Sequence, residues 1–368
     1  MKNAMKIFYQ LLALLACSTA IGQIPAGYYN TATGTGYTLK TQLHNIIKDH
    51  DAQPYSTVDD FFPIADKDWY YENDNTILDP YSENPAGADP YNYFAADQCG
   101  NYDSEGDCYN AEHVIPQSIF GQAEPMRGDA HHLLPTDGRV NGFRSNHPFG
   151  IAGTLVSQSG ITNPTMNGST LGNNLNSGYS AGYTGLVFEP IDEFKGDIAR
   201  IYFYFATRYQ NVIPNWSYAM FDGTSTKTIA DPFLLILLHW HQNDPVSAKE
   251  IARNNAIYQY QGNRNPFVDN PSYACLIWSG TCQLSTQDQV LGDISVYPNP
   301  SSTGTINIRS QAPLETIAVY SVTGQLLYQV QNPDSVDGNY KVESLPGGFY
   351  ILSLSADRAT TTRKIVIQ

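Results

Sequence analysis

The chain is poor in cysteine, in basic residues and in long apolar runs, and each shortage weighs against a class of function. Five cysteines are spread over 368 residues with no CxxC pair, which argues against a zinc ribbon or zinc finger. No HExxH occurs, and the histidine spacing fits no common zinc pattern. Lys and Arg number 20 against 35 Asp and Glu, a net charge of −15, so long-range attraction to polyanions is weak. Beyond residue 23 the only strongly apolar run is FLLILLHW (233–240), too short to span a bilayer.

What is present begins with MKNAMKIFYQLLALLACSTAIGQ (1–23). Two lysines, a short apolar stretch and small residues read as a secretory signal peptide. LLAC offers a competing lipoprotein reading of Cys17, although leucine is not the usual residue at one position of that pattern. Without Cys17 the chain keeps Cys99, Cys108, Cys275 and Cys282, an even set suited to an oxidising compartment. Three pairings are open; Cys99–Cys108 and Cys275–Cys282 close short loops and need no long-range assumption. The acidity is local. Residues 24–110 hold 3 Lys/Arg and 15 Asp/Glu (−12), whereas residues 111–267 hold 10 and 12 (−2).

Length and pattern predict two domains. TLKTQLHNIIKDH (38–50) carries a helical apolar stripe, and residues 51–110 read as long ordered loops with short strands. Residues 109–115 look like a strand closed by Pro116. TDGRVNGFRSN (136–146) reads as a helix capped by Thr136 or Asp137, weakened by Gly138 and Gly142. Residues 151–185 form a Gly/Ser/Asn/Thr excursion. Three helices are expected next: KGDIARIYFYFATRY, DPFLLILLHWHQN and DPVSAKEIARNNAIYQYQ, the last two opened by Asp-Pro. From about residue 295 short alternating runs separated by PNPSSTG, TGQ, PDSVDGN and PGG predict an all-β sandwich of about 80 residues. The expected layout is a signal (1–23), an α+β domain (24–284) with several helices and long loops, a linker (285–294) and a small all-β sandwich (295–368).

The chemistry gathers in YNAEHVIPQSIFGQAEPMRGDAHHLLPTDGRVNGFRSNHPFG (109–150). This block holds His113, His131, His132 and His147 with Glu112, Asp129, Asn141, Arg139 and Arg144. Hydrolysis of a phosphodiester needs a base that works near neutral pH, which suits histidine. It also needs charge neutralised on the phosphate, which a hard divalent cation does well. One carboxylate and one amide oxygen suffice to hold Mg²⁺ when waters and substrate complete its shell. His113 fits the base, and Glu112 with Asn141 the ligands. On its own a Glu-His dipeptide carries almost no motif specificity. Asp197 and Arg200, at i and i+3, are most simply an ion pair.

EHVIPQS, GDAHHLLP and DGRVNGFRSN resemble the bacterial endonuclease I family, nucleases built on the ββα-metal (His-Me) finger. The similarity continues through FEPIDEFKGDIARIYFYFATRY, WHQNDPVSAKEIARNN and QGNRNPFVDNP, over roughly residues 36–280. It implies His113 as general base, Glu112 and Asn141 as ligands of one Mg²⁺ (or Mn²⁺ or Ca²⁺), and His131 as a further site residue that orients the others. The family's phosphate-holding arginine lies in the loop after the Glu-His motif, where Arg127 is the only arginine; Arg139, Arg144 and Arg264 are rivals. The implied substrate is DNA, with RNA as a second candidate, bound through the phosphate backbone by a monomer.

VYPNPSSTGTINI, VYSVTGQLL, LPGGFYILSLS and RKIVIQ resemble a type A sorting domain of the type IX secretion system. This implies passage through the periplasm and outer membrane of a Bacteroidetes-type bacterium, to the medium or the cell surface. Two other classes compete: a zinc hydrolase using His113, His131 and Asp129, and a surface-displayed binding protein.

Overall fold

Leu39, Leu43 and Ile47 repeat along one helical face, and all three are buried on helix α1, Gly36–Ile47. The computed structural model describes residues 24–278, 294–310, 313–321, 326–335, 338–356 and 359–368. These fall into two compact units, one within 24–278 and one within 294–368. The signal segment, Cys17, Cys282 and most of the expected linker lie outside the described residues.

Residues 51–108 are loops as expected, but they hold isolated bridges in place of the expected short strands, and one stretch is α-helical. Val58, Phe61 and Phe62 make a short apolar face that folds as helix α2, Val58–Ala65, despite Pro63 inside it. The stripe spans barely two turns and the proline masks it; burial against Tyr109, Leu133 and Ile257 supplies what local propensity lacks. A disulfide joins Cys99 to Cys108, and Cys275 is also disulfide-bonded.

Strand β1, Tyr109–His113, is shorter than the expected 109–115, because Val114 and Ile115 bend away. It pairs antiparallel with β2, Leu133–Asp137, placing Glu112 opposite Leu134 and His113 opposite Leu133. Asp137 ends β2 and caps helix α3, Gly138–Arg144, where its Oδ1 accepts the Val140 N–H at 2.7 Å. The two glycines of α3 have a packing reason. A Cβ at Gly138 or Gly142 would come within 2.5 Å of the Tyr102 side chain, which lies across that face.

Strands β3 (Ala152–Leu155), β4 (Thr170–Asn174) and β5 (Leu186–Glu189) form an antiparallel sheet from the polar excursion. Helix α4, Lys195–Arg208, is buried nearly all round and packs on α5, Asp231–Asn243, through the main core. The Asp-Pro reading of the helix starts needs correction. Ala230 is the N-cap of α5, with Asp231 already helical. Helix α6, Ala248–Gln261, is capped by Ser247 in a reciprocal box with Glu250, three residues after Asp244. Ser-x-x-Glu satisfies two free N–H groups where Asp-Pro satisfies one. Short helices α7 (Pro266–Asp269) and α8 (Ser272–Ile277) follow.

The second unit consists of strands β6 (Ser295–Tyr297), β7 (Ile306–Arg309), β8 (Thr316–Ser321), β9 (Leu326–Gln331), β10 (Asn339–Val342), β11 (Gly348–Ala356) and β12 (Ala359–Ile367). They make two antiparallel sheets, ordered β10-β7-β6 and β12-β11-β8-β9. Alternate residues such as Ile306 and Ile308, Leu352 and Leu354, and Ile365 and Ile367 share one core. Among the described residues no helix is long and apolar enough to cross a membrane.

Candidate functional site: a strand, a strand and a helix

Alternation along β1 puts Asn110 and Glu112 on one face. Helix α3 presents Asn141 and Arg144 one turn apart to that face. Two rungs result: Asn141 Nδ2 donates to Asn110 Oδ1 at 2.7 Å, and Arg144 Nη1 donates to Glu112 Oε1 at 2.8 Å. Arg144 also donates to the carbonyls of His113 (3.0 Å) and Val114 (2.6 Å), which fixes the bend at the strand's end. Tyr81 adds a third bond, donating its hydroxyl to Glu112 Oε1 at 2.9 Å. Burial raises the pKa of Glu112, opposed by Arg144 and Tyr81.

These bonds are one-sided. Glu112 Oε1 takes both donors, and Glu112 Oε2 and Asn141 Oδ1 receive no hydrogen bond from the described residues. A carboxylate oxygen and an amide oxygen, free on neighbouring elements, are the hard donor types that a Mg²⁺-class cation takes.

His113 ends β1, and its ring lies among Tyr55, His132 and Phe120, with centroids at 5.3, 5.5 and 6.3 Å. Its Nε2 is 3.0 Å from the Arg127 carbonyl oxygen. A carbonyl can only accept, so Nε2 carries the proton and Nδ1 keeps its lone pair. Nδ1 has no partner and is not sealed from solvent. Burial, then the neighbouring His132, push the pKa of His113 down to about 3, so the ring is neutral at neutral pH.

The arginines separate cleanly. Arg144 is spent on Glu112, Arg264 on Asp269 at 2.7 and 2.8 Å, and Arg139 on the carbonyls of Ser159 and Gly160. The Arg127 guanidinium lies 4.6 Å from the Tyr55 ring centroid and makes no hydrogen bond or ion pair among the described residues. Tyr55 thus touches both the His113 ring and the unpaired guanidinium.

His131 sits elsewhere. It is buried with its ring 4.2 Å from Tyr204 and its Nε2 3.3 Å from the Asn263 carbonyl. Asp129 beside it is filled: Oδ1 accepts from the His131 N–H and Gln261, and Oδ2 from the Tyr204 and Tyr209 hydroxyls. No hydrogen bond or ring contact joins the His131 side chain to Glu112, His113 or Asn141. The zinc reading built on His113, His131 and Asp129 is therefore corrected. Both Nε2 atoms face carbonyls, the carboxylate is saturated, and the three do not gather around one point. His132 is buried, with Nε2 2.6 Å from the Met126 carbonyl. Asn263, Arg264 and Asn265 lock the α6–α7 loop from buried positions.

Sequence reasoning missed Tyr55, Tyr81, Asn110 and Asp79. Asp79 accepts the N–H of Tyr81 at 2.7 Å and of Asp137 at 2.6 Å, tying the distant loop to the α3 cap. The only sequence signal for it is the Asp-Pro turn in LDPYS.

The Endonuclease I family model matches residues 35–272, and the Secretion system C-terminal sorting domain model matches residues 295–368. An Extracellular ribonuclease of Bacillus amyloliquefaciens is 35% identical over 258 residues, 68% of this chain and 78% of its own. One from Bacillus subtilis (strain 168) is 34% identical over the same shares. A Periplasmic deoxyribonuclease of Aeromonas hydrophila is 24% identical over 43% of this chain and 62% of its own. The chain belongs to the Endonuclease I family: it is a nuclease, and its C-terminal sorting domain marks it for secretion.

Proposed function

We propose that this enzyme is a divalent-metal-dependent endonuclease that hydrolyses phosphodiester bonds of DNA and RNA with little base specificity. The observation that carries the reading is the pair of free oxygens, Glu112 Oε2 and Asn141 Oδ1, held by adjacent rungs beside a strand that ends in neutral His113.

Glu112 and Asn141 would hold one Mg²⁺-class ion, and such an ion supplies charge neutralisation on the scissile phosphate. His113 Nδ1 accepts the proton of the attacking water, while the Arg127 carbonyl keeps the ring in that tautomer. Arg127 lies on Tyr55 and offers its unpaired guanidinium to a phosphate oxygen. His131 is a structural residue, packed on Tyr204 beside the filled Asp129 carboxylate, and takes no direct part in the reaction. Attack by water makes no use of a 2′-hydroxyl, so the chemistry admits DNA as well as RNA, in keeping with the ribonuclease and deoxyribonuclease names of the relatives. Contacts to the backbone carry no sequence information. Residues 1–23 act as the export signal and residues 295–368 pass a monomer to the type IX machinery.

The test is incubation of the full chain with plasmid DNA and with RNA, in EDTA and after restoring Mg²⁺, Mn²⁺, Ca²⁺ or Zn²⁺. Cleavage of both with Mg²⁺ and none in EDTA is expected. Binding without cleavage in any metal would favour a surface-displayed binding protein instead.

A further inference from the structure

A second group of oxygens lies outside the nuclease site. Asp68, Glu72 and Glu83 each bring a carboxylate oxygen within 4.8 Å of the others. Asp68 and Glu83 are each 1% exposed, whereas Glu72 is exposed. The Asp68 carboxylate is fixed by backbone donors: Oδ1 accepts the N–H groups of Tyr70 (3.1 Å) and Tyr71 (3.0 Å), and Oδ2 that of Asn73 (3.0 Å).

Glu83 has no such support. Its Oε1 is enclosed without a partner, and its carboxyl receives no hydrogen bond from any described residue. The nearby cations are committed elsewhere, Lys67 to Asn75 and Lys249 to Asp197. A buried carboxyl facing two others without a counter-charge needs either a proton or a cation.

We propose that Asp68, Glu72 and Glu83 form a binding site for a Ca²⁺-class divalent cation, separate from the nuclease centre. Three carboxylates with an open side at Glu72 suit an ion that takes 6–8 oxygen ligands in flexible geometry and completes its shell with water. The site ties together the two ends of the 68–83 segment. The N–H of Glu83 donates to the Asp79 carbonyl at 2.9 Å, and Tyr81, between them, bonds Glu112. An ion at Glu83 therefore braces the loop that positions the nuclease carboxylate.

Terbium is the probe, because Trp69, Tyr70 and Tyr71 adjoin the ligands and can sensitise its emission. Titration of the full chain should give a saturable signal that Ca²⁺ displaces. Glu83→Gln and Glu72→Gln should each weaken that signal at least tenfold, while Glu112→Gln leaves it in place. With the nuclease centre weakened by Glu112→Gln, Ca²⁺ should still raise Tm, and adding Glu83→Gln should abolish that rise. If Glu83→Gln fails to fold, the exposed Glu72→Gln carries the test. Emission unaffected by both substitutions, or a Ca²⁺ rise in Tm that survives the added Glu83→Gln, would overturn the site and mean that Glu83 holds a proton. Either of those results leaves the nuclease reading untouched, since it depends on Glu112 and Asn141.

Discussion

Arg144 Nη1 lies 2.8 Å from Glu112 Oε1, and both side chains are almost fully buried. The bond leaves Glu112 one oxygen for a cation and makes Arg144 a structural residue rather than a phosphate contact. Glu112→Ala therefore strands a buried guanidinium and should lower stability by about 3–5 kcal/mol. Glu112→Gln keeps an oxygen for Arg144 and should fold, but needs far more Mg²⁺ for half-maximal activity. Thermal melts and Mg²⁺ activation curves separate the two effects. A Glu112→Gln enzyme with the wild-type Mg²⁺ requirement would remove Glu112 from the metal.

His113→Ala removes the proposed base together with a ring packed among Tyr55, His132 and Phe120, whereas His113→Gln keeps most of that volume without a base. Turnover should fall roughly 10²–10⁴-fold with nucleic-acid binding retained. Because burial holds the imidazole neutral well below its ordinary range, the acid limb of kcat should not show an inflection near 6.5. An inflection there that vanishes in His113→Ala would mean a solvated ring.

Arg127→Ala should raise KM and flatten the salt dependence of binding, with stability changed by no more than about 1 kcal/mol, because only an aromatic contact is lost. Arg264→Ala, which breaks a buried pair with Asp269, should do the reverse. Matched kinetics and melts on the two variants check the assignment. Identical behaviour would contradict it.

His131 supplies a stability prediction with a defined sign. Burial outweighs Asp129 and depresses its pKa to about 3, whereas the unfolded chain binds a proton near 6.5. The unfolded state thus holds more protons below pH 6.5, and stability falls as pH drops from there toward 3. Wild type should lose more stability between pH 7 and pH 5 than His131→Gln, whose side chain does not titrate. Parallel losses in denaturant titrations at the two pH values would show that His131 is not kept neutral.

Elements with their own periodicity could be read directly. The stripes of α1 and α4 and the alternating runs of the second unit follow from repeats of 3.6 and 2 residues that any neighbour can satisfy. Helix α2 could not, because its face is short and Pro63 interrupts it. The start of α6 shows the same limit. Asp-Pro and Ser-x-x-Glu are both sound local signals, and the structure used the one that satisfies more donors.

The residue types of the proposed site, Glu112, His113 and Asn141, follow from chain order alone, since β1 and the start of α3 are local elements. Which oxygen stays free, which arginine stays unpaired and which tautomer His113 adopts were decided by contacts across long separations. Tyr81 reaches Glu112 over 31 residues, Arg144 reaches it over 32, and the Arg127 carbonyl meets His113 over 14. A hydrogen bond depends on distance and angle between atoms, and sequence separation specifies neither until the chain has folded.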